Sequence, residues 1–89
     1  MAQIAFTPNL KRHVECPTAE IQADSLADLL ENYFQSWPEV RGWVLDDQNA
    51  VRRHVKILID GRNIDDRKDL SDRLESESQV HVLQALSGG

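Results

Sequence analysis

The chain closes on Leu83-Gln84-Ala85-Leu86-Ser87-Gly88-Gly89, and the paired glycines are the residues whose types and spacing could do chemistry. At a glycine usage of about 7%, a closing Gly-Gly arises by chance in about 0.5% of chains. Glycine has no Cβ, so it passes through narrow channels and takes backbone angles closed to other residues. Small residues following a strand are expected to project from a stable body, leaving the α-carboxylate of Gly89 at the tip. A carboxylate is a poor electrophile until one oxygen becomes a good leaving group. Acyl-adenylation by a partner using ATP and Mg²⁺ would supply that leaving group, and a sulfur nucleophile could then displace AMP to leave a thiocarboxylate.

No other set of residues reads as an active site. Cys16 is the single cysteine and has no CxxC companion, so it is expected to be structural rather than catalytic or persulfide-accepting. His13, His54 and His81 are scattered without metal-site spacing, and no metal is expected. A nucleophile–base–orienter set and a phosphate-cradling glycine loop are both missing. The chain therefore reads as a co-substrate for partner enzymes rather than an enzyme.

The elements that must carry this end follow from hydrophobic periodicity. Gln3 to Thr7 alternates, with Ile4 and Phe6 on one side, as in a half-buried strand. Pro8-Asn9 signals a turn, and a second strand is expected between His13 and Ile21, where Pro17 argues for an edge strand or a bulge. Asp24 or Ser25 can cap a helix in which Leu26, Leu29, Leu30 and Tyr33 form one apolar stripe, ended at Trp37-Pro38. Gly42 to Leu45 is apolar and of undecided type. His54 to Asp60 is a strand with Val55, Ile57 and Ile59 on one face, and Asp60-Gly61 is a tight-turn dipeptide returning the chain through Arg62, Asn63 and Ile64. Asp65 to Ser78 reads as an irregular connection with a little helix around Leu70 and Leu74. The last strand, Gln79 to Ala85, turns Val80 and Val82 inward.

Leu58 and Leu83 then fall on the open face of the sheet. If their strands are neighbours they form an apolar patch beside the root of the tail, with His81 at its rim, suited to docking a partner. Trp37 and Trp43 are expected in the core, and Asp65, Asp66, Glu75 and Glu77 on a solvated face.

Composition sets the outer limits. Eighty-nine residues, 40% hydrophobic and 28% charged, make one soluble globular domain. The expected division is a body over 1–84 and a flexible tail over 85–89. A net charge of -5 without a Lys/Arg cluster argues against nucleic acid. No signal peptide and no membrane-length apolar run is seen, so the cytoplasm is the expected compartment.

The whole chain resembles the MoaD/ThiS family of ubiquitin-like sulfur carriers, which includes the carrier serving cysteine synthesis. The matching parts are the Ile4/Phe6 strand, the Ser25-Leu26 start of a Leu-rich helix, Val55-Lys56-Ile57-Leu58-Ile59-Asp60-Gly61-Arg62, and Gln79 to Leu83 running into Leu86-Ser87-Gly88-Gly89. Only the tail is a specific motif. Ser78-Gln79 stands where many members have Gly-Asp, and Gln84 where many have Pro, so the subfamily and the final sulfur acceptor stay open. The resemblance implies an α+β β-grasp fold, a mixed sheet covered by one main helix with first and last strands central. It also implies that Gly89 is adenylated and thiolated, that Gly88 gives thin access, and that Leu86 and Ser87 help a partner grip. The implied partners are an E1-like adenylyltransferase, a persulfide sulfur donor and a sulfur-accepting biosynthetic enzyme, with no cofactor held by the chain itself. The alternatives are a ubiquitin-like modifier joined to lysines through Gly89, and a plain interaction domain with an incidental Gly-Gly.

Overall fold

The alternation at the start of the chain becomes β1, Ala2–Phe6, with Ala2, Ile4 and Phe6 buried. The computed structural model describes residues 1–84. After β1 come α1 (Pro8–Lys11), β2 (Ala19–Ile21), α2 (Leu26–Ser36), α3 (Pro38–Val44), β3 (Val55–Ile59), β4 (Arg62–Asn63) and β5 (Gln79–Gln84). The five strands form one sheet in the order β2-β1-β5-β3-β4. The β1–β5 pair at its centre is parallel and the other pairs are antiparallel, so the sheet is mixed. This is the β-grasp arrangement expected from the sequence, with first and last strands in the middle.

The long helix covers one face. Leu26, Leu29, Leu30 and Tyr33 of α2 pack in a single core with Ile4, Ile57, Val80 and Val82 from the sheet. Each such side chain contributes about 1.5–3 kcal/mol by leaving water. Tyr33 also stacks at a tilt on Phe6, centroids 5.2 Å apart, and its hydroxyl donates to the Pro17 carbonyl at 2.7 Å. That bond satisfies a backbone group that the sheet leaves out.

The start of α2 explains why the long stretch between β4 and β5 is irregular. Ser25 Oγ accepts the Asp28 amide at 3.2 Å, so of the two cap candidates Ser25 is the N-cap. The Leu26 and Ala27 amides donate to the carbonyls of Asp72 and Leu70, each at 2.9 Å. A helix N-terminus leaves its first amides without intrahelical partners, and this stretch supplies them. The little helix expected around Leu70 and Leu74 is not there: both residues are buried, but Leu70 sits at φ +57°. Asp66 and Asp72 hold the segment instead, accepting amides of Asp65, Asp66, Lys68, Asp69 and Ser71. Asp and Asn side chains favour this local pairing over helical turns.

Other expectations are revised or settled. Pro8-Asn9 is the first turn of α1 rather than a plain turn, because Pro at the first helical position costs no hydrogen bond, and it brings Leu10 into the core. The second strand begins only at Ala19, so Pro17 lies outside it and places no constraint on its ladder; the strand does lie at the edge of the sheet. Gly42 to Leu45 lies mostly in α3, so α2 is the main helix but not the only one; Trp37 closes α2 and precedes Pro38 at the start of α3. Trp37 and Trp43 are partly buried against the core rather than inside it, and Trp43 stacks on His13 at 5.2 Å.

At the far corner the Asp60-Gly61 turn is as expected, with φ +51° and +85° between Ile59 and Arg62. Positive φ at both central residues is the mirror-image turn whose twist matches a hairpin.

Candidate functional site

Gly89, Gly88, Ser87 and Leu86 lie outside the described residues, as does Ala85, so the site is built here from the strand that leads to them. β5 is paired along both edges. On one side it runs parallel to β1, from Gln3↔Gln79 to Phe6↔Val82; on the other it opposes β3, from Ile59↔Val80 to Val55↔Gln84. Past the ladder, the Thr7 amide donates to the Val82 carbonyl at 3.1 Å and Asn9 Nδ2 to Gln84 Oε1 at 3.4 Å. The strand is therefore held through Gln84, in the middle of the sheet, five residues short of Gly89.

The structure does bring Leu58, His81 and Leu83 to the open face. Ile57 and Val82 oppose each other inside the core, which turns Leu58, His81 and Leu83 outward. Leu58 faces His81 directly, while Leu83 faces Lys56, so the two leucines meet on a diagonal. His81 is thus in the middle of the face rather than at its rim, with Ala5 on its other side. Both leucines are half-buried and His81 is exposed.

A groove opens beside this face at the end of β5, and sequence reasoning did not single out its residues. Arg53, His54, Lys56 and Arg67 line it with Leu83 and Gln84, over Val51 and Val55. Arg67 is set in place by donating to the carbonyls of Arg52 and Val55, both at 2.8 Å. Asp46 is the one carboxylate among the described residues of the lining, and one of its oxygens accepts from the Gln48 and Ala50 amides at 2.8 and 3.1 Å. The available signal was the run Arg52-Arg53-His54 with Lys56 close behind; Arg67 arrives from the connection after β4 and could not have been placed.

Cys16 is buried. Burial raises its thiol pKa above the usual value, with Lys11 pulling weakly the other way, so the thiol is held protonated and is a poor nucleophile. Burial is also the main reason the Tyr33 hydroxyl is pushed upward. Asp66 moves the opposite way: the Ser71 hydroxyl, then the Asp69 amide, hold its carboxyl at about 2. Among the described residues no three His, Cys, Asp or Glu side chains gather as a metal site, and no helix is long and apolar enough to cross a membrane.

No family model matches the chain, and no curated protein matches it significantly in sequence. Solved structures do match in fold. The crystal structure of SAMP1 from Haloferax volcanii superimposes with a TM-score of 0.77 at 15% identity, over 99% of this chain and 98% of that one. The small archaeal modifier protein 1 of Methanosarcina acetivorans gives 0.79 at 19%, over 99% and 95%. A chain in the BexX/CysO complex of Amycolatopsis orientalis gives 0.82 at 10%, over 100% of both chains. At these identities the likeness is one of fold, and it confirms the β-grasp.

Proposed function

We propose that this chain is a ubiquitin-like sulfur carrier in which Gly89 is the reactive residue and the β-grasp body is the handle by which partner enzymes hold it. The observation that carries this reading is the strand path: β5, held on both edges at the centre of the sheet, is the strand that continues into Leu86-Ser87-Gly88-Gly89. A rigid strand sets where a following segment starts, and glycines let it enter a confined site.

The chemistry is then shared with an E1-like adenylyltransferase. The Gly89 carboxylate attacks the α-phosphorus of ATP, expelling pyrophosphate and forming an acyl-adenylate. A persulfide donor attacks the carbonyl and expels AMP, giving an acyl disulfide. A second thiol cleaves that disulfide, leaving a thiocarboxylate on Gly89 and the donor as a mixed disulfide. The thiocarboxylate passes its sulfur to a biosynthetic acceptor enzyme. The chain contributes the acyl group, its access through Gly88, and docking surfaces including Leu58, His81 and Leu83.

A second reading is favoured by the solved neighbours named modifiers: Gly89 would be activated in the same way but end in an isopeptide bond to lysine. The experiment that tests activation itself is ATP–pyrophosphate exchange by the host's E1-like enzyme, with the intact chain and with a chain lacking Gly89. Exchange with the first and none with the second is expected; equal exchange would overturn the role of Gly89. Thiol-resistant high-mass adducts in the host would favour the modifier.

A further inference from the structure

We infer that the groove at the end of β5 is a docking surface for an acidic, leucine-bearing segment of the protein that acts on the tail. Only the partner's identity rests on the reading of Gly89; the preference of the groove for acidic peptide does not.

The charge distribution is the first support. The chain carries fifteen acidic residues against ten basic ones, yet among its described residues the groove sets Arg53, Lys56 and Arg67, beside His54, against one carboxylate, Asp46. Asp46 accepts from two loop amides and the Arg67 guanidinium donates to two carbonyls; all four partners are neutral, so both groups are oriented with their charges intact, and the cations outnumber the carboxylate. Arg53 and Lys56 are exposed. A concave surface lined by one sign of charge focuses field and raises the local concentration of an oppositely charged partner. The opposite end of the sheet does not share this bias: Asp60, Glu75 and Glu77 are exposed around the start of β5, and the Asp60 carboxylate accepts the Gln79 amide.

The floor supplies the second support and selects among occupants. Val51 and Val55 are buried beneath the groove, and Leu83 forms a half-buried wall. A phosphate backbone gains nothing from an apolar floor, and a strand of nucleic acid extending beyond the groove would meet a body of net charge -5. A peptide segment with carboxylates around one aliphatic side chain satisfies both the rim and the floor.

Position supplies the third. Gln84 lines the groove, and five residues of fully extended chain span at most about 18 Å. An enzyme that holds Gly89 in its active site must therefore come within that distance of Gln84, which lines the same groove as Arg53 and Lys56. Rim charges of this kind act on encounter and affinity rather than on the chemical step.

The test is a ¹⁵N amide titration of the full chain at low salt with three probes. These are an acidic pentapeptide with a central leucine, the same peptide with its carboxylates replaced by amides, and a short single-stranded oligonucleotide. The acidic peptide is expected to shift Arg53, His54, Lys56, Arg67 and Leu83 saturably. Affinity should drop about tenfold in the exposed double variant R53E/K56E, whose undisturbed spectrum elsewhere checks its fold, and the neutral peptide should shift nothing. Equal shifts at Arg62 and Arg73, tighter occupation by the oligonucleotide, or groove shifts that follow protein concentration alone (a second copy) would each overturn the inference. An acidic peptide seated in the groove of a chain that no enzyme adenylates would sink the carrier reading and leave this one standing; adenylation with an empty groove would do the reverse.

Discussion

Alanine at Gly42 and alanine at Gly61 are the same chemical change, and the backbone makes them act in opposite directions. Gly42 lies inside α3, is exposed, and a Cβ built there meets nothing within 4 Å. Alanine at that position loses less entropy on folding and should stabilise by about 0.5–1 kcal/mol. Gly61 is equally open, with nothing within 4 Å of a new Cβ, but its φ is +85°. The whole cost there is backbone strain, about 1–2 kcal/mol for an L-residue in the left-handed region. The two variants should therefore differ by about 1.5–3 kcal/mol, several degrees in Tm per kcal/mol for a domain of this size. Urea unfolding with unchanged slope is the assay, and asparagine at position 61 should recover part of the loss. Both alanines moving stability the same way would refute the assignment of the Asp60-Gly61 turn or of α3.

Three further expectations concern the body. Leu30→Ala should cost about 2–5 kcal/mol, since Leu30 is 1% exposed beneath the stripe of α2, and urea unfolding would read the loss. The Cys16 thiol should be alkylated much more slowly in the native chain than in urea at pH 8. Because its folded pKa is raised, the unfolded chain ionises first, so stability should fall as pH rises past about 9, and Cys16→Ala should lose that decline. Asp66 has a depressed pKa, so its contribution is complete above the unfolded carboxylate range near 4 and vanishes as pH falls through about 2. Asp66→Asn should accordingly be less stable than the parent at pH 7, with the difference shrinking as pH falls from about 4 toward 2 in thermal melts.

Periodicity was sufficient wherever one face of an element meets the core. The stripe of α2, the inward residues of β3 and β5 and the Asp60-Gly61 turn were all legible for that reason. Prolines were the ambiguous punctuation. Pro38 was read as the end of one helix when it also begins the next, and Pro8 as a turn when it opens α1, because the restraint on φ serves both purposes. The Asp65–Ser78 connection is not legible because its shape is set jointly by the distant open amides of α2 and by its own Asp66 and Asp72 carboxylates, which bind neighbouring amides in place of helical turns. The outward setting of Leu58 and Leu83 followed from alternation, whereas the place of His81 within the face needed the register between β3 and β5. The basic groove is hidden in the sequence because its members come from the segment leading into β3, from β3 itself and from Arg67 beyond the hairpin.

The carrier reading is tested most directly by the intact mass of this protein isolated from its native host. The account predicts a species in which one oxygen is replaced by sulfur, removed by alkylation chemistry specific for thiocarboxylates and localised by fragmentation to Gly89. A population carrying only an unmodified carboxylate under conditions where the sulfur acceptor is being supplied, or sulfur found at Cys16 instead, would contradict it.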